Sequence, residues 1–377
     1  MKTKQGDSKP MEISKFIEGL IREYRSKKIT VDVGRVECDF IDTGNYALNY
    51  IMSGSFDYGV PVGQVTEIHG DPSSGKSLLL YNIISNFQKK YEDGVVILDD
   101  SEFSYVDYLG STLEIDGSRL IRLSSSTVEE HAATIFIGGR VPVQKGSEVE
   151  EVVVQPLVEK LTSQGVKHIL VAIDSIAVLS TKHEVGVGLD KPDMSKAKTI
   201  KALLRVVMPV IKRHNITYIV TNHLIFSIGS LIPQKVTPGG SGVVYQSSVR
   251  LCLTPTGKIK LKDTNTVAGV VSKVQTVKNR FAPPLRTCEL EISFSKGMSK
   301  YSGLISLFTN LGIIELAPGG WYRVKGTGNQ DGSEFKFQSK DVESKWEDLR
   351  KIVSASNVLM REETVVSSYK DEGEFGA

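Results

Sequence analysis

Eleven residues, "EIHGDPSSGKS" at Glu67–Ser77, hold the chain's clearest chemistry. Gly70, Gly75, Lys76 and Ser77 match the phosphate-loop spacing G-x-x-x-x-G-K-[ST]. Glycines let the backbone curl until successive N–H groups face phosphate oxygens. The pattern gives the whole run Gly70, Asp71, Pro72, Ser73, Ser74, Gly75, Lys76, Ser77 and Leu78 to nucleotide binding. Lys76 supplies a point charge to the β- and γ-phosphates, and the Ser77 hydroxyl supplies a ligand to Mg²⁺. The motif therefore implies ATP and Mg²⁺.

A second set of polar residues stands at the ends of apolar runs. "LVAIDS" places Asp174 where a carboxylate holds Mg²⁺ through water, or else caps a turn. "VVILDDSEF" ends in Asp99, Asp100 and Glu102; Glu102 reads either as a general base for in-line attack of water or as part of a solvated acidic turn. "IVTNH" ends in Asn222 and His223, where His223 is either a γ-phosphate contact or a plain buried histidine.

These groups need a scaffold. "GQVTEIHG" reads as a short buried strand and "SLLLYNIISNFQKKY" as a helix, which puts the loop at a helix N-terminus, where the dipole favours anions. "VVILDD", "HILVAIDS" and "ITYIVTNH" are apolar runs with polar C-terminal ends, as parallel strands buried on both faces must be. "VVVQPLVEKLTSQG" and "KAKTIKALLRVVMPVIKRHN" read as crossover helices. After about residue 249 close-spaced strands with turn signals suggest antiparallel pairing and a small α+β module. At the front, "MEISKFIEGLIREYRSK" carries a helical apolar stripe, Ile13, Phe16, Ile17, Leu20 and Ile21, that must pack on something; "ITVDVG" reads as extended.

Two connectors are too long for simple turns. One follows Asp174 and carries Lys182, Lys191 and Lys196. The other follows His223 and mixes Phe226, Ile228, Leu231 and Ile232 with Gly229, Lys235, Gly239 and Gly240. Lysines that neutralise phosphates and apolar side chains that slip between bases are the ingredients of a DNA-binding loop; Glu184, Asp190 and Asp193 dilute the charge and leave an ordinary surface loop as the other reading.

Composition is neutral on partners. The chain has 377 residues, 40% hydrophobic and 24% charged, with a net charge of +2, so any nucleic-acid surface is local. Cys38, Cys252 and Cys288 lack paired spacing and read as small hydrophobes in a reducing compartment. The start "MKTKQGDSKP" is polar and no apolar run is long enough to span a bilayer, so a cytoplasmic protein without membrane partners is expected.

The ordered set "GDPSSGKS", "LDDSEFSYVDYLG", "VAIDSIAVLS", "MSKAKTIKALLRVVMPVIKRHNITYIVTNH", "GGSGVVYQSSVRLCL", "VQTVKNRFAPPL" and "YSGLISLFTNLGIIELAPGGWYRVKG" resembles the RecA-type homologous recombinases, most closely their UvsX-like phage branch. The resemblance runs from about residue 64 to 326. It implies a RecA-like P-loop ATPase core with a mostly parallel central sheet, a short N-terminal oligomerisation segment and a small C-terminal α+β region. The expected divisions are 1–60 for the N-terminal helix and strand, 61–300 for the core with DNA loops at about 181–196 and 224–240, 301–360 for the C-terminal region and 361–377 for a flexible tail.

The same resemblance makes Glu102 the catalytic glutamate and Asp174 the second-motif aspartate. It makes His223 the γ-phosphate sensor, where bacterial members have glutamine and phage relatives histidine. Lys278 and Arg280 become the cations that reach a neighbour's γ-phosphate, and Tyr245 the aromatic at the subunit interface. Arginine at 280 stands where bacterial members have lysine, and a planar fork replaces a point charge there. The adenine-contacting tyrosine is not cleanly reproduced after Glu102, with Tyr108 or a neighbour in its place. The implied activity is a DNA-dependent ATPase that forms filaments on single-stranded DNA and exchanges strands with double-stranded DNA, assisted by a single-strand-binding protein and a loading mediator. Two other readings share the core: a ring helicase, which normally adds an N-terminal domain larger than the roughly 60 residues here, and a DNA-coating mediator without turnover, against which Lys76, Ser77, Glu102 and Asp174 argue.

Overall fold

The computed structural model describes residues 13–27, 38–145, 148–187, 195–226, 235–261, 263–328 and 334–355. Lys191, Ile228, Gly229, Leu231, Ile232, the extended piece expected at 29–34 and the tail at 361–377 lie outside the described residues.

The chain divides into two units, Met1–Asp39 and Phe40–Ala377. In the first, Ile13–Ser26 is helical. Phe16, Leu20 and Tyr24 recur every four residues along it and are exposed, forming one apolar stripe.

In the second unit, alternation along the buried strands sorts side chains onto two faces. The strands of the central sheet are β1 Val65–Gly70, β2 Val95–Asp99, β3 Leu120–Leu123, β4 Ile169–Ile173, β5 Thr217–His223, β6 Val249–Lys260, β7 Val267–Asn279, β8 Thr287–Ser293 and β9 Gly297–Met298. Leu170 and Ala172 of β4 join one apolar cluster, while Ile169, Val171 and Ile173 join the other. Val96 and Leu98 of β2 part from Ile97 in the same way. Helix α1, Lys76–Lys90, fills the first face with Leu79, Leu80, Ile83, Ile84 and Phe87. Helix α2, Lys196–Arg213, fills the second with Ile200, Leu203, Leu204, Val207 and Ile211. The result is three layers, α/β/α, around a sheet of order β9-β8-β7-β6-β1-β5-β4-β2-β3.

From β3 through β6 every neighbouring pair is parallel. The strand order doubles back beside β1, and the polar tips of β1, β2, β4 and β5 meet there, where α/β sheets open a ligand crevice. Antiparallel pairing begins only between β6 and β7 and continues to β9. The strands after residue 249 thus pair antiparallel with one another as expected, and β6 is in addition parallel to β1 at Val249–Leu253.

Three further features bear on the expected divisions and elements. Residues 40–60 belong to the second unit: the helix Tyr46–Ser53 buries Ala47, Leu48, Tyr50, Ile51 and Met52 in the first cluster. Among the described residues after 301 are the α-helices Leu304–Asn310 and Trp346–Ala355 and a three-stranded antiparallel sheet. Its Leu304, Phe308, Trp346 and Leu349 are continuous with the same cluster. Finally, "VVVQPLVEKLTSQG" is helical only over Leu157–Ser163. Val152–Val154 belong to a hairpin, Gly139–Lys145 against Glu148–Val154, because a run of β-branched residues beside a glycine pair favours strand over helix.

Candidate functional site

The phosphate-loop residues leave β1 at Gly70 and enter α1 at Lys76. Both glycines are demanded by space. A Cβ on Gly70 would lie 2.2 Å from the Leu253 carbonyl oxygen, and one on Gly75 would lie 2.4 Å from Ile292 Cδ1. Gly75 also has φ +89°, where side chains are strained. Lys76 is buried and its ammonium curls back into the loop, donating to the carbonyls of Gly70 at 3.2 Å and Asp71 at 3.0 Å. Burial pulls its pKa below the ordinary lysine value, against the opposing charges of Glu102, Asp174 and Asp71. The Ser74 hydroxyl is buried without a hydrogen-bond partner. Ser77 is half-buried in the first turn of α1, and Leu78 packs on the core. A side-chain-free cradle, a buried ammonium and an orphan hydroxyl at a helix N-terminus fit a nucleoside triphosphate. Ser77 and Asp174 are the residues suited to its Mg²⁺.

Asp174 follows β4 and is buried. Its Oδ1 accepts from the Thr221 hydroxyl at 2.5 Å, and its Oδ2 accepts from the hydroxyls of Ser104 at 3.1 Å and Tyr81 at 3.4 Å. Glu102 hangs from the same tip, its N–H donating to the Asp174 carbonyl at 3.1 Å. Its Oε1 lies 2.5 Å from His223 Nε2. Burial works against the Glu102 charge, but the Ser175 hydroxyl, His223 and Lys76 outweigh it and hold the carboxyl below its ordinary pKa. The structure therefore brings Lys76, Glu102, Asp174 and His223 into one electrostatic cluster. Asp100 is committed elsewhere: its carboxylate accepts from the N–H groups of Ser104 and Tyr105 and shapes the turn.

Below this cluster lies a network that sequence reasoning missed. Glu67 of β1 is fully buried and pairs with Arg250 of β6 through Oε2, while its Oε1 accepts from Asn222 Nδ2 at 2.9 Å. Asn222 Nδ2 also donates to the Pro238 carbonyl at 3.0 Å, tying the end of the second loop to β5. His69 is 3.6 Å from Glu67, and burial lowers its pKa to about 4. The available signal was a carboxylate inside a buried strand, which requires a partner.

The long connectors are pinned where they are described. In the first, Lys182–Val187 is a short helix; Lys182 Nζ donates to the Arg140 carbonyl at 3.2 Å and lies 3.8 Å from Glu151. Lys196 Nζ donates to the Ala177 carbonyl at 2.5 Å. In the second, Ile225–Phe226 pairs with Lys235–Val236, and Phe226 is exposed. Lys235 Nζ contacts both carboxylate oxygens of Asp71, at 2.6 and 2.9 Å, so the second connector touches the phosphate loop directly. Gly239 and Gly240, both at positive φ, open helix α3, Gly240–Gln246.

Lys278 and Arg280 are not brought to their own chain's phosphate loop in any described contact. Lys278 Nζ donates to the carbonyls of Val244 and Tyr245, each at 2.8 Å, at the end of α3, and Arg280 reaches the Tyr245 carbonyl at 3.4 Å. Burial, then the charges of Arg280 and Arg250, lowers the Lys278 pKa. The Tyr245 ring is exposed. Tyr108 is exposed on the helix Asp107–Thr112.

Comparison with known proteins agrees with this geometry. Residues 145–299 match the RecA N-terminal domain family. Protein RecA of Thermus aquaticus is 29% identical over 350 residues, 91% of this chain and 92% of that protein. Over most of its length the chain is therefore similar to RecA proteins. Protein RecA of Caulobacter vibrioides is 28% identical over 348 residues, 90% of this chain and 87% of its own length. That of Cereibacter sphaeroides is 29% identical over 289 residues, 76% and 75%. The match to the RecA N-terminal domain spans β4 through β9, and so includes Asp174, both long connectors and Lys278. No helix among the described residues is long and apolar enough to cross a membrane.

Proposed function

We propose that the protein is a DNA-dependent ATPase and homologous recombinase, which assembles as an ATP-bound filament on single-stranded DNA and pairs it with homologous duplex. The observation that carries this reading is the Glu102–His223 contact beside Lys76, because it joins a group placed for hydrolysis to the strand that runs into the second long connector.

In this mechanism Lys76 and the loop N–H groups hold the phosphates; Ser77 and Asp174 would hold Mg²⁺, which would supply positive charge against the charge that develops during transfer. Glu102, ionised at neutral pH, orients the attacking water and accepts its proton. His223 shares the Glu102 carboxylate and passes a change there to residue 224 onward, an order–disorder switch of the DNA loops. Lys278 and Arg280 act on a neighbouring subunit, since α3 holds them away from their own loop, and Tyr245 packs at that junction. The stripe of Phe16, Leu20 and Tyr24 docks on the next subunit. Lys182, Lys191, Lys196, Phe226, Ile228, Lys235, Gly239 and Gly240 line the DNA path. Tyr108 contacts adenine.

The placement in a UvsX-like phage branch is supported by the histidine at 223, and such a protein works in the host cytoplasm with a single-strand-binding protein and a loading mediator. ATP turnover measured with and without single-stranded DNA tests the reading. Stimulation by DNA, abolished in Lys76→Ala, is expected; a chain that turns over ATP equally with and without DNA rejects it. Electron microscopy with a non-hydrolysable ATP analogue separates a filament from the closed ring of a helicase.

A further inference from the structure

Asp99, His131 and Tyr218 are completely buried, and the nucleotide chemistry uses none of them. His131 Nδ1 lies 2.6 Å from Asp99 Oδ2, and Nε2 lies 2.9 Å from the Tyr218 hydroxyl. With Asp99 ionised, Nδ1 carries the proton, and Nε2 accepts from Tyr218. Such a set costs more to bury than apolar residues of the same volume, and it is tolerated only when every member is satisfied. Its location matters. Asp99 ends β2, three residues before Glu102, and its carbonyl accepts from the Asp174 N–H at 3.0 Å.

The other oxygen of Asp99 grips the main chain of a different segment: Oδ1 accepts from the Ser125 N–H at 2.8 Å. That segment continues directly to the first long connector. The Ser180 N–H donates to the Ser126 carbonyl at 3.0 Å, and the Val128 N–H donates to the Ser180 carbonyl at 2.9 Å. The Lys182 N–H then donates to Glu129 at 3.1 Å. A line of hydrogen bonds therefore runs from the strand tip that bears Glu102 to the first residues of the connector.

We propose that His131 is a positioning residue that couples the state of the Glu102 strand tip to the first DNA loop, by fixing the Asp99 carboxylate on segment 124–131. The inference rests on the DNA-dependent ATPase reading. Lysine and arginine set how strongly such a loop holds phosphates, but the loop's anchor sets where they stand. Without His131 the Asp99 side chain loses its fixed rotamer, Ser125 loses a defined acceptor, and the Ser180–Lys182 anchor is released from the strand. This route is separate from the one through His223 to the second loop. Coupling of this kind is read by following DNA and ATP independently.

Three full-length variants are compared with wild type by ATP turnover against single-stranded DNA concentration and by DNA anisotropy. His131→Leu removes the donor to Asp99. His131→Asn keeps one. Glu129→Ala cuts the exposed last link and leaves the core intact. His131→Leu and Glu129→Ala should each raise the DNA concentration for half-maximal turnover about tenfold, with DNA-free turnover within about twofold of wild type, while His131→Asn stays within about threefold on both. A folded His131→Leu with wild-type DNA response overturns the proposal; if that variant fails to fold, a wild-type response in Glu129→Ala overturns it. A wild-type chain with no DNA stimulation removes the parent reading and this one together, whereas a stimulated wild type with unaffected variants removes only this one.

Discussion

His223 Nε2 and Glu102 Oε1 lie 2.5 Å apart, so the end of β5 and the turn after β2 share a hydrogen bond across the crevice. One oxygen of the carboxylate is held by the imidazole, and the Ser175 hydroxyl also acts on the group. The same bond joins the turn that bears Glu102 to the strand end from which the second connector departs.

Glu102→Gln tests the catalytic half of that relationship. The amide keeps the size of the side chain and a partner for His223 but cannot accept a proton from water. Turnover should fall by about 10²–10⁴-fold while nucleotide affinity changes little. Phosphate release and equilibrium nucleotide titration measure the two separately. Turnover within tenfold of wild type would assign the carboxylate a structural role only.

Lys278→Ala tests the role across subunits. Its ammonium sits on the carbonyls of Val244 and Tyr245, clear of its own phosphate loop in every described contact. The isolated chain should therefore bind nucleotide as before, and DNA-stimulated turnover should disappear. Full retention of stimulated turnover would leave the between-subunit site unsupported.

Arg250→Met should be costly to the fold itself. It leaves Glu67, which is 0% exposed, with Asn222 but no cation. Breaking a buried pair from one side typically costs about 3–5 kcal/mol, more than the lost attraction, because a charge stays buried. Removing that charge as well, in Glu67→Gln with Arg250→Met, should recover a large part of the loss. Denaturant unfolding of the two variants decides it; equal destabilisation in both would contradict the account.

Acid should weaken the fold through His69. Burial, the largest influence, lowers its pKa from 6.5 to about 4, so between those values the unfolded chain takes up a proton that the folded chain refuses. Stability from this group is complete above pH 6.5 and declines as pH falls toward 4, by roughly 3 kcal/mol in all. His69→Gln, neutral throughout, should flatten that limb when unfolding is followed at pH 7.5 and pH 5. An unchanged slope would show that other groups carry it.

Much of the site was legible because its signals are local. The phosphate loop declares itself in eight consecutive residues, and the strand tips at Asp174, Glu102 and His223 appear as polar endings of apolar runs. The hairpin at 139–154 was not legible in this way, since its valines also suit a crossover helix and only pairing separates the two. The apolar helix Tyr46–Ser53 was grouped with the N-terminal segment because adjacency in sequence says nothing about which core a face will join.

By itself, then, the sequence determined where the phosphate-loop pattern falls, which segments become buried parallel strands and where long connectors interrupt them, because backbone curvature and face alternation depend on near neighbours. Tertiary structure decided the rest: that Glu67 meets Arg250 across 183 residues, that His131 seats on Asp99, that Lys235 clasps Asp71, and that Lys278 rests on the end of α3. Those contacts depend on strand order and register, and a charged or polar side chain carries no mark of the distant partner whose burial will satisfy it.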